Sequence, residues 1–508
     1  MAEATPTSSS LTARAFWLIF AKTLAFVFGF ALPLLLVRRL SQNDLGLYKQ
    51  AFLVVSTASG ILPLGFVMSA FYFLPRETDR RGAVVFNIII FNTLVGGVAL
   101  LVLLFRPGLL AAIFNSPALV PYAPLIGLLI LLWIVSYLLE IGSLANQESR
   151  LSTIFIIAAQ LTRTSLLLAA AVFYSSVSAL LYAAIIQGAL QTVVMVFYLR
   201  ARFGRFWRGF DWQMMRMQLA YALPIGAGAL LYAVLSDLHN YFVSYRFGAA
   251  AFALYSIGCF SLPLVGIIME SIGSVMIPRV SQLQSVGDTR GIVMVTAGAM
   301  RKAAAVYFPL YALLLVTGRE IIAFLFTTQY LGSWPIFAIN LTTLPFLILV
   351  SDPIIRAHAE HRFFLLKVRA VTIVVLFAAL WFGTKYFGLV GAISAMVSMS
   401  VLDRLIEAGK AWSIVGVTRR DVVLLKDVGK VALAATAAGA LTACVRLLMS
   451  GTRPFIVLAV CGVVFGCAYL GLVWLLGVPT DKERTLVRVK IESAQRLAWW
   501  RRAADPLI

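Results

Sequence analysis

Five charged side chains stand inside stretches of sequence that are otherwise apolar: Lys22, Lys49, Arg163, Asp237 and Glu270. A charge at the centre of a bilayer costs roughly 2.5–3.5 kcal/mol on insertion scales, so each needs a partner or a task. Lys22 lies eight residues beyond Arg14, which is about 12 Å at 1.5 Å per residue of helix. Its ammonium can meet a diphosphate as a point charge or pair with a carboxylate such as Glu140 or Glu270. Arg163 is flanked by Gln160, Thr162 and Thr164, a face too polar for lipid, so it is expected to point inward. A guanidinium fork suits phosphate oxygens; the competing reading is a structural pair between helices. Lys49, beside Gln50, is either a third cavity cation or a side chain snorkelling to the interface.

Asp237 lies in Ser236-Asp-Leu-His-Asn240. Asn240, three residues on, shares its helix face, while His239 points elsewhere. A carboxylate with amide and hydroxyl neighbours can hold Na⁺ or a proton; the alternative is a salt bridge to Lys49. Glu270 is a second coupling carboxylate or a partner for nearby arginines. Asp352 and Arg356, four residues apart, read as an ordinary interfacial pair, and Glu140 and Glu148 read likewise. The working assignment is thus a cationic substrate site of Lys22, Arg163 and Lys49, with ion or proton coupling at Asp237, Asn240 and Glu270. No catalytic residue, metal site or cofactor is expected beyond Na⁺ or H⁺. The sequence has no glycine-rich phosphate loop ending in Lys and Ser/Thr, no nucleophile–base set and only three scattered histidines. The four cysteines lie in apolar segments and read as small buried hydrophobes.

The elements that position these groups follow from composition. The 508 residues are 61% hydrophobic and 12% charged, about half the charge of a soluble domain. Runs of roughly 20 apolar residues span a bilayer as closed helices. Fourteen spans are expected, near 14–37, 46–74, 83–105, 119–140, 152–174, 177–199, 218–245, 250–276, 301–318, 334–352, 366–385, 388–414, 429–448 and 455–477. The first is read as a retained span, since no small-residue cleavage site precedes it. With the N-terminus in the cytoplasm, 31 Lys/Arg fall in cytoplasmic segments and 8 outside. That places both termini inside by the positive-inside rule. The net charge of +21 then reflects topology and anionic membrane lipid, not nucleic acid. The basic tail 479–508, with Trp499 and Trp500, reads as an interfacial helix or a solvated tail.

A repeat orders the spans. Arg39–Tyr48 returns as Arg246–Tyr255, displaced by 207 positions, and Pro75-Arg76 returns as Pro278-Arg279, displaced by 203. Phe173-Tyr-Ser-Ser-Val-Ser-Ala179 and Tyr386-Phe-Gly-Leu-Val-Gly-Ala392 are matching tight hairpins. Six spans make one unit, giving an all-α membrane protein with an N-terminal bundle over 1–199, a basic cytoplasmic linker over 200–216 and a second bundle over 217–415. Spans 13 and 14 (416–478) and the tail follow. An even number of spans per unit makes the repeats parallel, and such pairs enclose a cavity opened to each side in turn. Prolines 33, 63, 224, 263, 309 and 345 are potential bending points.

The Arg39–Tyr48 connection, the Tyr386–Ala392 hairpin and the fourteen spans resemble the multidrug/oligosaccharidyl-lipid/polysaccharide exporter superfamily. Within it the chain looks most like the polysaccharide-biosynthesis flippases. That resemblance implies ion-coupled movement of an undecaprenyl-pyrophosphate-linked oligosaccharide across a bacterial inner membrane, by a monomer in a pathway with glycosyltransferases and a polymerase. Multidrug exporters of the superfamily usually stop at twelve spans, so spans 13 and 14 favour a lipid substrate. The lipid II flippases, with cations in their first two helices, are matched loosely by Lys22 and Lys49. A cation-coupled drug exporter and a membrane glycan polymerase or transferase are the alternatives.

Overall fold

The structure is a computed structural model that describes residues 31–260, 262–361 and 363–479. Lys22, most of span 1 and the basic tail lie outside these residues. Among the described residues every regular element is helical and there is no strand, as bilayer-embedded backbone requires outside a barrel. Among the described residues, eleven helices are long and apolar enough to cross a membrane, or twelve if one bent pair counts as a single span.

Two things separate this from fourteen: span 1 lies mostly outside the described residues, and spans 11 and 12 are one element. Residues 31–39 are helical. Ser41 then caps the next helix, Gln42–Ile61, by accepting a hydrogen bond from the Asp44 amide at 3.1 Å. Span 2 is broken: Gln42–Ile61 and Phe66–Phe73 meet at 46°. Pro63 sits at that break with Leu64 and Gly65 both at positive φ, 48° and 67°. Spans 7 and 8 are redrawn. One helix runs over Trp212–Gly258, interrupted only at Gly248 (φ 78°), and another over Pro263–Ser285. The break in span 8 therefore falls at 259–262, inside the stretch expected to be continuous. Spans 11 and 12 form a single element, Phe364–Val415, that turns at Gly388 (φ 58°). There a Cβ on Gly383 would lie 2.7 Å from the Gly391 carbonyl oxygen, so the two arms meet backbone to backbone.

Backbone punctuation recurs with the spacing of the sequence repeat. Ser41, where the first connection breaks, and Gly248, where the second does, are 207 positions apart. Left-handed Ser175 and Gly388 mark the two hairpins, and left-handed Asn115 and Thr327 precede the 3-10 turns Pro117–Tyr122 and Thr328–Ser333. Ser176 caps Val177–Phe203 through the Ala179 amide at 3.3 Å, whereas the second hairpin relies on glycine.

By packing, the described residues divide into two compact units. One comprises Met1–Pro263, Leu325–Asn340 and Phe363–Asp403; the other comprises Leu264–Phe324, Leu341–Arg362 and Arg404–Ile508. The first has a core that includes Phe66, Leu74, Val84, Ile88, Leu138, Leu199, Phe206 and Met214. In the second, the helices Lys426–Leu448 and Pro454–Leu475 dock on Thr289–Phe326. Arg446 donates to Glu320 at 3.0 Å, Tyr469 donates to the Ala305 carbonyl at 2.9 Å, and Gly439 lies against the Ala312 methyl. Asp352–Arg356 is the expected i, i+4 pair, at 2.6 Å. Of the four cysteines only Cys461 is buried; Cys444 and Cys467 are exposed and Cys259 is half-buried. The buried-hydrophobe reading therefore holds for one of them.

Candidate functional site

The first unit is built on an antiparallel crossing of Gln42–Ile61 with Trp212–Gly258. Small residues let the backbones touch at both ends. A Cβ on Gly46 would lie within 2.9 Å of the Ala249 Cα, and one on Gly226 within 2.8 Å of the Leu64 Cα. Polar residues fill the seam between. Gln50 donates to the Ser244 hydroxyl at 2.6 Å, and Thr57 donates to the Asp237 carboxylate at 2.6 Å. Each step down one helix is a step up the other, so the pairs 46/249, 50/244, 57/237 and 65/226 form one line. Helix–helix interfaces in lipid favour small residues and interhelical hydrogen bonds for the same reason: lipid offers polar groups nothing better.

Asp237 is half-buried on this seam. Among the described residues it makes no ion pair with Lys49; its partner is the Thr57 hydroxyl. Asn240 is half-buried on the same helix and keeps its amide free of hydrogen bonds to described residues. A carboxylate, a hydroxyl and an amide oxygen are hard oxygen ligands of the kind a small cation or a proton takes. Glu270 is exposed and lies in the other unit. His239 turns away from Asp237, is buried, and bonds to the Tyr255 hydroxyl at 2.8 Å.

Lys49 leaves the seam on another face of its helix. It lies within electrostatic reach of the Cys259 thiol, which is in turn within reach of Tyr255. The bonded pair His239–Tyr255, with Cys259 and Lys49 near it, gathers polar groups between Gln42–Ile61 and the end of Trp212–Gly258. Sequence reasoning missed this cluster because its members lie 4 to 210 positions apart.

Arg163 points into the unit, as its polar flank predicted. Its guanidinium carbon lies 4.0 Å from the centre of the Trp133 ring, within the range of a cation–π contact. Glu140 and Tyr48 are within electrostatic reach. Glu140 accepts from Gln191 at 3.3 Å, and Gln191 accepts from Gln187 at 2.7 Å. Phe52 packs edge-on against Trp133 at 5.8 Å and tilts against Tyr48 at 4.5 Å. Stacking occupies the face of the guanidinium and leaves its N–H edge. Those donors bond to no acceptor among the described residues, and the buried Trp133 indole N–H also has no partner there. A buried donor without an acceptor is costly, and the Trp133 indole is one. Trp133, Gln187 and Gln191 carried no sequence signal beyond being polar or aromatic within a span, and Tyr48 was marked only as the end of a repeated connection.

At the end of the unit away from Gly46, a second network closes the packing. Asn87 donates to the Asp211 carbonyl at 2.9 Å and to Gln218 at 3.2 Å; Gln218 donates to Ser69 and to the Val84 carbonyl. Asp211 caps Trp212–Gly258 through the Met214 amide at 3.0 Å. That bond, with Arg80 beside it, holds the Asp211 carboxyl below the usual carboxylate range. Glu148 takes Arg202 at 2.8 Å and the Tyr198 hydroxyl at 2.8 Å, so it is a structural carboxylate, as expected.

Comparison with known proteins places this arrangement. The family model described as "Polysaccharide biosynthesis protein" matches residues 17–335. No curated protein matches the chain in sequence. Among solved structures, lipid II flippase MurJ in an inward closed conformation is similar with a TM-score of 0.69 at 13% identity, covering 90% of this chain and 97% of that one. An inward-facing multidrug resistance MATE transporter of the MOP superfamily follows at 0.59 and 13%, covering 79% and 96%. A Vibrio cholerae MATE transporter, VcmN, gives 0.54 and 15%, covering 80% and 97%. At such identities the likeness is one of fold. The family match spans more than half of the chain, which therefore belongs to the polysaccharide biosynthesis protein family and has the multi-pass helical fold shared by MurJ and the MATE transporters.

Proposed function

We propose that the protein is a flippase that carries an undecaprenyl-pyrophosphate-linked oligosaccharide across the bacterial inner membrane for cell-surface polysaccharide synthesis. Its termini are cytoplasmic, it works beside glycosyltransferases and a polymerase, and it performs no covalent chemistry itself. The observation that carries this reading is Arg163. A guanidinium laid on Trp133 inside the unit, with its donor edge open, presents two parallel N–H groups to phosphate oxygens. Lys22 and Lys49 are the further cations assigned to the substrate. The family match supports a polysaccharide pathway, and the fold supports alternating access.

In this account the lipid-linked glycan enters from the inner leaflet, its diphosphate draws on Arg163, and the bundles then expose it outward. A Na⁺ ion or proton at Asp237, with Thr57 and Asn240, drives the return; Glu270 is a second coupling carboxylate. Binding must differ between the two states for coupling to occur, and the Thr57–Asp237 bond is a contact that parting of the seam would break.

Cells carrying Arg163→Ala or Lys22→Ala should lose surface glycan and accumulate the lipid-linked intermediate on the cytoplasmic side. Normal glycan display by both variants would remove the cationic site. A cation-coupled drug exporter is the second reading, favoured by the Asp237–Thr57 pair, which needs no cationic cavity. It predicts loss of drug resistance in Asp237→Asn with no glycan defect in Arg163→Ala.

A further inference from the structure

The segment joining Val177–Phe203 to Trp212–Gly258 has an architecture the transport cycle does not use. Phe206 is its buried anchor, against Phe86 at 6.3 Å. Gly209 presses on the backbone of Ala83, where a Cβ would come within 2.9 Å of the Ala83 nitrogen. Asp211 fixes the far end through Asn87, Met214 and Arg80. Between these three pins the chain holds a 3-10 turn, Phe206–Arg208. A pinned turn of this kind presents its remaining side chains in a fixed pattern.

Those side chains are aromatic and cationic. Trp207, Phe210 and Trp212 are 41%, 51% and 60% exposed, on a segment with no reason in packing to display them. Arg200, Arg205, Arg208 and Arg216 are exposed around them, and Arg200 leans over the Trp207 ring at 5.4 Å. None of the four has a carboxylate within ion-pair distance among the described residues. Asp211, the one acid of the segment, is engaged by Arg80, and Arg202 by Glu148. Because the segment joins two consecutive spanning helices, it lies at a membrane face. Exposed tryptophans settle at headgroup depth, and a guanidinium binds phosphodiester oxygens through paired N–H donors.

We infer that Arg205–Trp212, with Arg200 and Arg216, is a binding site for the headgroups of anionic phospholipid. The aromatic rings seat the turn among the acyl ester groups and the free arginines take the lipid phosphates. A lipid bound there ties the start of Trp212–Gly258 to the start of Arg81–Phe105, the two helices that Asn87 and Gln218 already join. The site is separate from Arg163 and Asp237, so it stands whatever substrate the protein carries.

The test uses the full-length protein in lipid nanodiscs and in detergent. Native mass spectrometry counts phosphatidylglycerol and phosphatidylcholine molecules retained on titration. The wild type should hold phosphatidylglycerol in preference to phosphatidylcholine. Arg205→Gln with Arg208→Gln should weaken phosphatidylglycerol retention on the order of 30-fold, from the contribution of each basic residue near an anionic surface, and leave phosphatidylcholine unchanged. Trp207→Gln with Trp212→Gln should weaken both lipids. Arg106→Gln with Lys385→Gln removes the same charge from other connections and should leave retention intact. Equal loss in that control, no loss in the Arg205/Arg208 pair, or no preference for phosphatidylglycerol in the wild type would each overturn the site. So would RNA displacing the lipid at equal charge concentration. An unaltered thermal midpoint shows that each variant is folded.

Discussion

Replacing Gly46 with alanine tests whether the Gln42–Ile61 and Trp212–Gly258 helices are held as closely as the seam implies. The added methyl would lie 2.9 Å from the Ala249 Cα, and the Ala249 carbonyl is nearer still. Carbon atoms settle at roughly 3.5–4.0 Å and the carbonyl oxygen would stand far inside that distance, so the helices must part by more than about 1 Å. The obstacle is backbone, which cannot swing aside as a side chain would. Overpacking of this kind costs about 1–3 kcal/mol, and a rigid obstacle puts Gly46 toward the upper end. Against it stands the intrinsic preference of alanine over glycine in a helix, about 1 kcal/mol. The net expectation is about 1–2 kcal/mol of destabilisation, seen as a fall of a few degrees in the midpoint of thermal aggregation of detergent-purified protein. Gly226→Ala should behave alike, with the Leu64 backbone as the obstacle. Gly60→Ala and Gly97→Ala meet nothing within 4 Å and should hold or raise the midpoint. If Gly46→Ala matched these controls, the close approach of the two helices would be wrong.

Three further expectations use other parts of the molecule. Arg446→Ala or Glu320→Ala should lower the thermal midpoint by breaking the latch between Lys426–Leu448 and Thr289–Phe326. Hydrogen bonds to charged groups contribute about 1.5–3 kcal/mol, and Arg446→Met with Glu320→Met together should recover most of the loss, as a folded-protein melt would record. Asp211, whose carboxyl is held low in the folded state, contributes stability that is present above the ordinary aspartate range and is lost as pH falls through its own depressed value. Asp211→Asn should therefore flatten the decline of the thermal midpoint below about pH 4. Asp237→Asn should abolish the dependence of transport on a Na⁺ or proton gradient while leaving substrate binding in place. Thr57→Val should weaken that dependence without abolishing it, as ion-gradient titrations in proteoliposomes would read.

Much of the architecture could be read from the chain because membrane spans are local. Apolar run length and short polar connections need no knowledge of packing. Arg39–Tyr48 and its echo at Arg246–Tyr255 located real breaks, at Ser41 and Gly248, and the two hairpins located Ser175 and Gly388. Asp352–Arg356 followed from helical spacing alone, and the inward aim of Arg163 from its polar flank. What the chain concealed depends on partners distant in sequence. Gly46 looks like any other glycine until Ala249 is laid against it. Asp237 invited a cation, and Lys49 was the natural candidate, yet the structure gives it Thr57 because the antiparallel register puts residue 57, not 49, opposite 237. Trp133 is one tryptophan among ten, and only folding brings it under Arg163. The break at 259–262 was hidden because hydrophobicity continues across it; a single apolar run does not reveal whether its helix is whole.

The central claim is best tested by following flipping in vitro. Purified protein in liposomes would be given an undecaprenyl-pyrophosphate-linked oligosaccharide on one leaflet, and its arrival on the other read by a glycan-cleaving enzyme confined to that side. The wild type should move the lipid well above protein-free liposomes. Arg163→Ala should reduce the rate at least about tenfold, the effect of losing one charge-assisted hydrogen bond of 1.5–3 kcal/mol, and Arg163→Lys should recover only part of it because the fork is gone. A wild-type rate no faster than protein-free liposomes, or an Arg163→Ala rate equal to the wild type, would contradict the account.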